Sequence, residues 1–236
     1  MFKSKLRKAL EAGFGQSLKV FPGIKTIIID RLTIFVFHEV TNTPSEFCQS
    51  CCLAVSIELF HQQISWISDN FNIIHPNYLL GEPTYPNGSA VITFDDGFLG
   101  AFENGISYLV ENSIPSAMYL NMRSILDDLP IIPAITCYLD QYSSKFRQFA
   151  ADHELTRPYS HSITPTLLRE YERNHESYNL DAAKEYQGPL ARIADVEKWL
   201  DEDLVVYGNH LFDHWNSAIL SDVEFKEQYQ KNTDAL

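Results

Sequence analysis

The sequence predicts an α/β fold in which parallel strands alternate with helices. Residues 90–94 form a short apolar run rich in β-branched side chains, which is typical of a buried strand. Residues 98–112 carry apolar side chains at helical spacing, and residues 116–120 predict another strand. A strand, a helix and a strand in this order indicate a parallel βαβ unit, because parallel neighbours need a crossover connection. With 236 residues, 45% of them hydrophobic, the chain suits one large domain or one domain with an insertion.

The N-terminal part predicts a helical extension followed by the first strand. Residues 1–30 form the extension, in which apolar side chains recur at helical spacing between lysines and arginines. Two interpretations are open for it: a basic amphipathic helix on a membrane surface, or a helix packed on the domain. Residues 32–38 are β-branched, aromatic and nearly all apolar, and they predict a buried strand that ends at His38.

Helical patterns dominate two further stretches of the chain. Ser56 is a suitable N-cap for a helix over residues 56–70. From about residue 123 to residue 200 strand patterns disappear, which predicts a helical insertion between two strands of the main fold. Within it Thr164 is expected to cap a helix whose first residue is Pro165. The remaining predicted elements are short strands at residues 71–74 and 204–207 and helices at residues 142–151, 166–175 and 222–230.

Composition excludes several classes of protein. The net charge of -13 argues against a general nucleic-acid binder, which needs a basic face. The sequence contains no run of about 18 apolar residues, so it predicts no transmembrane helix. The N-terminus lacks the continuous apolar region and the small-residue cleavage site of a signal peptide. We therefore expect a cytoplasmic protein, with peripheral membrane contact through the basic N-terminal segment as an open alternative. The oligomeric state is left open.

The four cysteines give a weak signal. Cys48 and Cys51 have the C-x-x-C spacing that zinc sites and redox motifs use, and Cys52 and Cys137 complete the set. No second C-x-x-C pair follows, so ordinary buried or free thiols are the favoured interpretation.

Two short strings carry the chemistry. Asp95 and Asp96 follow the strand at residues 90–94, and His210 and His214 follow the strand at residues 204–207. The two imidazoles, four residues apart, would reach one ion if that turn is helical. One carboxylate and two imidazoles make a metal site with open positions, and the second carboxylate is a ready base for a water molecule. Because both strings follow strands of a parallel sheet, they are expected at one edge, which favours metal-assisted hydrolysis.

Each string also has an ordinary explanation. Consecutive strand residues point to opposite faces, so Asp95 and Asp96 can share a site only if the chain bends, which Gly97 permits. An Asp-Gly turn after a strand is common without any function, and histidines four residues apart arise by chance on many surfaces. The combination of the two strings, not either one alone, predicts the metal site.

The other histidines are assigned by position. His38, at a strand end on the same edge, is a candidate contact to substrate or to a metal ligand. No function is predicted for the remaining five, which lack a partner pattern: His61, His75, His153, His161 and His175.

The sequence resembles the polysaccharide deacetylase family, which comprises the NodB-homology or carbohydrate esterase family 4 enzymes. The likeness lies in residues 93–97 (Thr-Phe-Asp-Asp-Gly), in the histidines at positions 210 and 214, and in the strand end at residues 37–40 (Phe-His-Glu-Val). It covers residues 31–236 and implies a distorted (β/α) barrel that removes N- or O-acetyl groups from a carbohydrate. An acetylated carbohydrate is therefore the expected partner.

The resemblance also implies roles for individual residues. Asp95 would be the general base, while Asp96, His210 and His214 would bind a divalent metal ion. Zinc is the first choice for this ligand set, and cobalt, nickel, manganese or iron would also suit it.

Three departures from the family pattern stand out. Leu211 occupies a position where the family usually has serine or threonine, and the insertion at residues 123–200 is long. The chain ends at Leu236, soon after the second motif, and we find no counterpart of the family's arginine motif or of its general-acid histidine. The barrel is therefore expected to be incomplete at its C-terminus, or the chain to be a fragment of a longer protein.

Two other functions are compatible with parts of the pattern. The missing motifs fit a non-catalytic or truncated deacetylase-like protein that binds carbohydrate or takes part in assembly. Two histidines and one carboxylate also form the triad of iron(II) oxygenases. Those ligands usually lie on a β-sandwich, and a second carboxylate has no use there, so we disfavour this interpretation.

Overall fold

The computed structural model describes residues 32–81, 85–175 and 178–236. The predicted N-terminal extension at residues 1–30, with its basic segment, lies outside the described residues. Seven parallel-paired strands are present in the described part: β1 (Thr33–Phe37), β2 (Glu39–Val40), β3 (Ala54–Val55), β4 (Asn72–Ile73), β5 (Ser89–Asp96), β6 (Ser116–Leu120) and β7 (Val205–Asn209).

The helices lie between these strands and after them. A π-helical segment at Ala101–Ile106 continues as α3, and 3₁₀ helices occupy Pro76–Leu80, Tyr159–His161 and Ser217–Ile219. Among the described residues, no helix combines the length and the apolar character that a membrane crossing requires. The α-helices are α1 (Glu46–Ser50), α2 (Ile57–Asn70), α3 (Ser107–Glu111), α4 (Met122–Asp127), α5 (Ile132–Tyr142), α6 (Ser144–Asp152), α7 (Pro165–Asn174), α8 (Leu180–Gln187), α9 (Ile193–Glu197) and α10 (Asp222–Ala235).

The α/β class predicted from the sequence is confirmed. The main sheet has the order β1-β5-β6-β7, with β4 paired to the beginning of β5, and β2 pairs separately with β3. Every pairing between these seven strands is parallel. The barrel that the resemblance implies is not seen in the described part of the chain, where the sheet is open and β1 and β7 lie at its edges.

The predicted helix caps at Ser56 and Thr164 are also confirmed. The Ser56 side chain accepts the Leu59 N–H at 3.3 Å, and the Thr164 side chain accepts the Leu167 N–H at 3.3 Å. Pro165 occupies the first turn of α7, where its missing N–H has no helical partner to lose.

The centre of the sheet is buried on both faces, as expected for parallel strands covered by helices. All residues of β5 except Asp95 are buried, and they pack with α2 and with the π-helical segment. Phe60, Ile64 and Phe102 belong to this core. Such burial fixes the position of β5, which carries the two aspartates at its C-terminal end.

The first strand is present as predicted, but the prediction that it is buried is only partly correct. Phe35 is buried in β1, but Ile34 and Val36 are each 50% exposed. Successive strand residues point to opposite faces, and only the Phe35 face of this edge strand is covered by described residues.

Helices α4 to α9 intervene between β6 and β7, yet these two strands pair along their whole length, from Ser116↔Val205 to Leu120↔Asn209. The intervening helices have an apolar cluster of their own, which includes Phe146, Ile163 and Leu168. Because β5, β6 and β7 are parallel neighbours, their C-terminal ends meet at one edge of the sheet.

Gly100, the residue before the π-helical segment, lies unusually close to β2. A Cβ atom at this position would lie 2.1 Å from Oε1 of Glu39 and 2.5 Å from the carbonyl oxygen of Val40. Glycine therefore allows the approach that buries Glu39, which is only 4% exposed. Burial raises the pKa of Glu39 from its ordinary 4.5 to about 7.

This buried carboxyl group should make stability fall as the pH rises. A raised pKa means that the folded protein holds the proton more tightly, so the stabilisation present below about pH 4.5 is lost as the pH passes about 7. Between about pH 5 and pH 8 we expect the metal-free protein to lose roughly 2 kcal/mol more unfolding free energy than its Glu39→Gln variant does. Urea unfolding at both pH values measures this, with Glu111→Gln on the exposed end of α3 as control. An identical pH dependence in wild type and Glu39→Gln would contradict it.

Candidate metal centre

The chain bends sharply where β5 ends. Asp96 has φ +71° and Gly97 has φ +81°, so two successive residues adopt left-handed backbone. Aspartate and glycine are among the residues that tolerate this conformation. The bend expected at Gly97 thus begins one residue earlier, at Asp96. It allows both carboxylates to serve one region, although alternation along a straight strand would separate them.

The histidines lie in a loop, so the helical turn that would have brought them together is not what positions them. Residues 210–216 form no helix, and Leu211 (φ +62°) and His214 (φ +59°) have left-handed backbone. The loop does not make the i to i−4 hydrogen bonds of a helix. Instead, the His210 N–H donates to the carbonyl oxygen of Leu120 at 3.2 Å, at the end of β6.

Three asparagines, which we call the asparagine clamp, hold this loop: Asn121, Asn209 and Asn232. Asn121 Nδ2 donates to the carbonyl oxygens of His210 (2.5 Å) and Leu211 (2.9 Å). Asn209 Oδ1 accepts the Leu211 N–H at 2.9 Å and Asn232 Nδ2 at 3.0 Å. The loop is therefore stabilised by amide side chains, in a chain that has leucine at position 211.

Sequence reasoning missed the asparagine clamp, although a partial signal was present. Asn121 directly follows β6 and Asn209 ends β7, so both occupy the sheet edge that carries Asp95 and Asp96. Asn232 lies in α10 and comes to this edge only through tertiary packing.

Asn232 should be critical for stability. It is fully buried, donates to the carbonyl oxygen of Leu120 at 2.8 Å and accepts the Met122 N–H at 2.8 Å. Leucine at this position would leave these buried partners unpaired, at a cost of about 1–3 kcal/mol each. We expect Asn232→Leu to lower the unfolding free energy by about 3 kcal/mol or more, measured by urea unfolding.

The matched control is Gln230→Leu, which makes the same kind of change at an exposed position of α10. Its effect should stay within about 0.5 kcal/mol. Equal effects of the two substitutions would show that the hydrogen bonds of the buried amide do not stabilise the fold.

Asp213 fixes the middle of the same loop. Its carboxylate pairs with the Arg123 guanidinium and accepts Gln228 Nε2 at 2.6 Å, while its N–H donates to Gln228 Oε1 at 2.8 Å. Arg123 follows β6 and Gln228 lies in α10, so two separate elements restrain the segment between the histidines. These are positioning contacts, which leave both imidazoles free for the site.

The two imidazoles converge on Asp96. Nε2 of His214 lies 2.7 Å from Asp96 Oδ1, and Nε2 of His210 lies 3.4 Å from the same oxygen. The imidazole rings are 4.8 Å apart at 80° to each other. The Asp96 side chain is only 3% exposed, whereas the two histidine side chains are 31% and 24% exposed. The carboxylate therefore lies at the buried end of the site, and the imidazoles lie nearer to its solvent-exposed side.

The charges at the site are strongly coupled. Burial alone would raise the pKa of Asp96, but the charge of His214 and the contacts with both imidazoles lower it well below its usual range. Burial alone would lower the pKa of His214, but the Asp96 carboxylate raises it. Burial raises the pKa of Asp95, against the opposing charges of His210 and His38. Asp95 thus lies close to this cluster, but the buried carboxylate at its centre is that of Asp96.

The cluster suits a divalent metal ion. Asp96, His210 and His214 each offer one ligand atom, and these atoms lie within 4.8 Å of one another. Oδ1 of Asp96 is buried, yet no well-aligned hydrogen bond satisfies it. An orphaned carboxylate oxygen between two imidazole nitrogens is what a cation would complete. Oxygen and nitrogen donors of this kind suit zinc and other first-row ions, and three protein ligands leave positions open.

The site opens into a pocket of about 490 Å³. Asp96, His214 and His38 line it, together with Trp215 and His161. His38 thus lies where its position at a strand end suggested. His161, for which sequence reasoning predicted no role, reaches the pocket from the 3₁₀ helix of the insertion.

Three other histidines have local contacts away from the centre. His61 stacks on Tyr108 at 3.8 Å, His75 donates to the Asp203 carbonyl oxygen at 2.8 Å, and His153 contacts the Phe149 carbonyl oxygen at 2.9 Å. These contacts agree with the ordinary structural roles expected from the sequence.

Comparison with known proteins gives likeness at the level of structure only. No protein-family model matches the chain, and no curated protein matches it significantly. IcaB from Ammonifex degensii superposes with a TM-score of 0.53 and 16% identity, over 88% of this chain and 68% of that one. A de-N-acetylase from Aggregatibacter actinomycetemcomitans gives 0.50 and 15%, over 87% and 74%. The polysaccharide deacetylase BC0361 from Bacillus cereus gives 0.49 and 10%, and this chain spans 46% of its length. The chain therefore has the α/β fold of IcaB and of a de-N-acetylase, as the resemblance of its motifs predicted.

Proposed function

We propose that this protein is a metal-dependent hydrolase that removes acetyl groups, foremost N-acetyl groups, from a carbohydrate. The observation that carries the proposal is the convergence of Asp96, His210 and His214 next to Asp95, at the C-terminal edge of a parallel sheet and beside a pocket that Asp96 and His214 line. The fold that the chain shares with a de-N-acetylase supports the reaction class.

In this proposal Asp96, His210 and His214 would hold the ion, and Asp95 would act as the general base. A divalent ion bound at such a site supplies Lewis acidity and lowers the pKa of a water that it holds. Asp95 would accept a proton from the water that attacks the acetyl carbonyl. As the bond between the acetyl carbon and the sugar nitrogen breaks, the amine leaves with a proton and acetate is the second product.

The pocket supplies the groups around this reaction. Trp215 and Pro133 offer apolar surface, while His38 and His161 offer imidazoles from two different elements. A pocket of about 490 Å³ falls in the size range of small-molecule sites, which suits an acetylated sugar unit.

The test measures metal content and acetate release on one preparation. The chain is loaded with Zn²⁺ or Co²⁺ and incubated with N-acetylated chitooligosaccharides and with acetylated xylan. Acetate release that requires the ion and favours the chitooligosaccharide supports the proposal. Carbohydrate binding without acetate release would instead support the non-catalytic binding or assembly protein, and failure to bind an ion would overturn the site.

The parallel sheet disfavours the iron(II) oxygenase alternative. The ligands of that triad usually lie on a β-sandwich, whereas Asp96 and the histidines follow parallel strands flanked by helices. The nearby Asp95 also has a use in hydrolysis and none in oxygen activation.

A further inference from the structure

Two thiols line one wall of the metal-centre pocket. Cys51 is the C-cap residue of α1 and Cys137 lies in α5, and both line the pocket that contains Asp96 and His214. Helices α1 and α5 pack against each other. A hydrogen bond between the two thiols lowers the pKa of Cys51 and raises that of Cys137. Two cysteines far apart in the sequence are thus paired at one wall of the site.

The surroundings of the pair give its members different accessibility. Cys51 is exposed, whereas Cys137 is half-buried and packs against the apolar cluster around Phe47 and Ala134. A dissolved oxidant can therefore reach the Cys51 thiol directly, whereas the Cys137 thiol is less accessible. The hydrogen bond with Cys137 lowers the pKa of Cys51 to about 6. A lowered pKa favours the reactive thiolate at this exposed thiol.

The other two cysteines are poor candidates for this chemistry. Cys48 is buried, its sulfur contacts the Gln187 carbonyl oxygen at 3.9 Å, and burial raises its pKa to about 12. Cys52 is exposed but does not line the pocket. Cys52 neighbours Cys51 in the chain, which makes it a matched control.

We infer that Cys51 and Cys137 form a redox-active pair that closes to a reversible disulfide in the wall of the metal-centre pocket. A small-molecule disulfide such as glutathione disulfide is the oxidant. The Cys51 thiolate attacks one of its sulfurs, which forms a mixed disulfide and releases the first glutathione thiolate. Cys137 then loses its proton and attacks the Cys51 sulfur, which releases the second glutathione thiolate. Two thiols of the protein are oxidised, and their two electrons and two protons reduce the oxidant to two thiols.

The bond would tie the end of α1 to α5 beside the metal ligands. Phe47 of α1 and Pro133 of α5 line the same pocket, so a cross-link between these helices changes the wall that they share. This site is independent of the substrate proposed above, because the thiol chemistry requires neither a metal ion nor a carbohydrate.

The experiment equilibrates the full chain with glutathione and glutathione disulfide in the presence of a chelator. Thiols are then counted in denaturant, and cross-linked peptides are mapped without reduction. We expect wild type to lose two of its four thiols and the map to show Cys51 joined to Cys137. Reduction with dithiothreitol should restore all four.

Single variants separate this pair from general oxidation. Cys52→Ser should still lose two thiols, whereas Cys51→Ser and Cys137→Ser should form no internal disulfide. A link between Cys51 and Cys52, or four thiols retained in pure glutathione disulfide, would overturn the inference. Because the peptide map uses wild-type protein, a variant that fails to fold does not weaken the test.

Discussion

Replacing Asp96 with asparagine is expected to weaken Zn²⁺ binding by more than about 100-fold, which exceeds the usual effect of changing an outer partner of a metal ligand. Asp96 Oδ1 is the buried oxygen on which both imidazoles converge, so the charge that attracts a cation would be lost. Asparagine is the suitable replacement because it tolerates the left-handed backbone at this position. Isothermal titration calorimetry measures the change.

The control must account for an acidic chain. With a net charge of -13, the protein will bind cations weakly at many surface carboxylates. Asp127→Asn removes an exposed carboxylate of α4 and should leave the tight site unchanged. His214→Asn, which also suits left-handed backbone, should weaken binding as Asp96→Asn does. Tight Zn²⁺ binding that persists in both Asp96→Asn and His214→Asn would show that the ion binds elsewhere.

Asp95→Asn is expected to lower acetate release by about 10²–10⁴-fold, the usual contribution of a general base. The variant should keep its affinity for the metal ion within a few fold, because Asp95 is not among the three groups that could hold the ion. Asparagine keeps the size of the side chain and removes its ability to accept a proton. Acetate release is measured at saturating metal concentration, so that a small change in affinity does not affect the rate.

The two aspartate variants distinguish neighbouring roles. If Asp95→Asn lost the ion, or if it kept full activity, the assignment of Asp95 as the base would be wrong. If wild type released no acetate from any substrate, the proposed function would fail while the metal-binding result for Asp96 would still stand.

Much of the secondary structure followed from local patterns in the chain. The strand predicted at residues 116–120 has the same ends in the structure, and the helix predicted after Ser56 matches α2 closely. Side-chain periodicity and capping act over a few residues, so they can be recognised without the fold. The strand predicted at residues 90–94 extends to Asp96 because pairing with β6 continues to the end of the aspartates.

The sequence by itself determined which groups follow the strands: the aspartates after residues 90–94 and the histidines after residues 204–207. Parallel pairing of β5, β6 and β7 then brought both sets to one edge of the sheet. Only the tertiary structure decided the shape of the histidine loop, because its hydrogen bonds come from Asn121 and from Gln228, which lie in other elements of the fold. The same holds for the pocket wall, where His161 and the pair of Cys51 and Cys137 come from separate elements. Contacts between residues this distant in sequence leave no periodic trace in the chain, since packing of whole elements creates them.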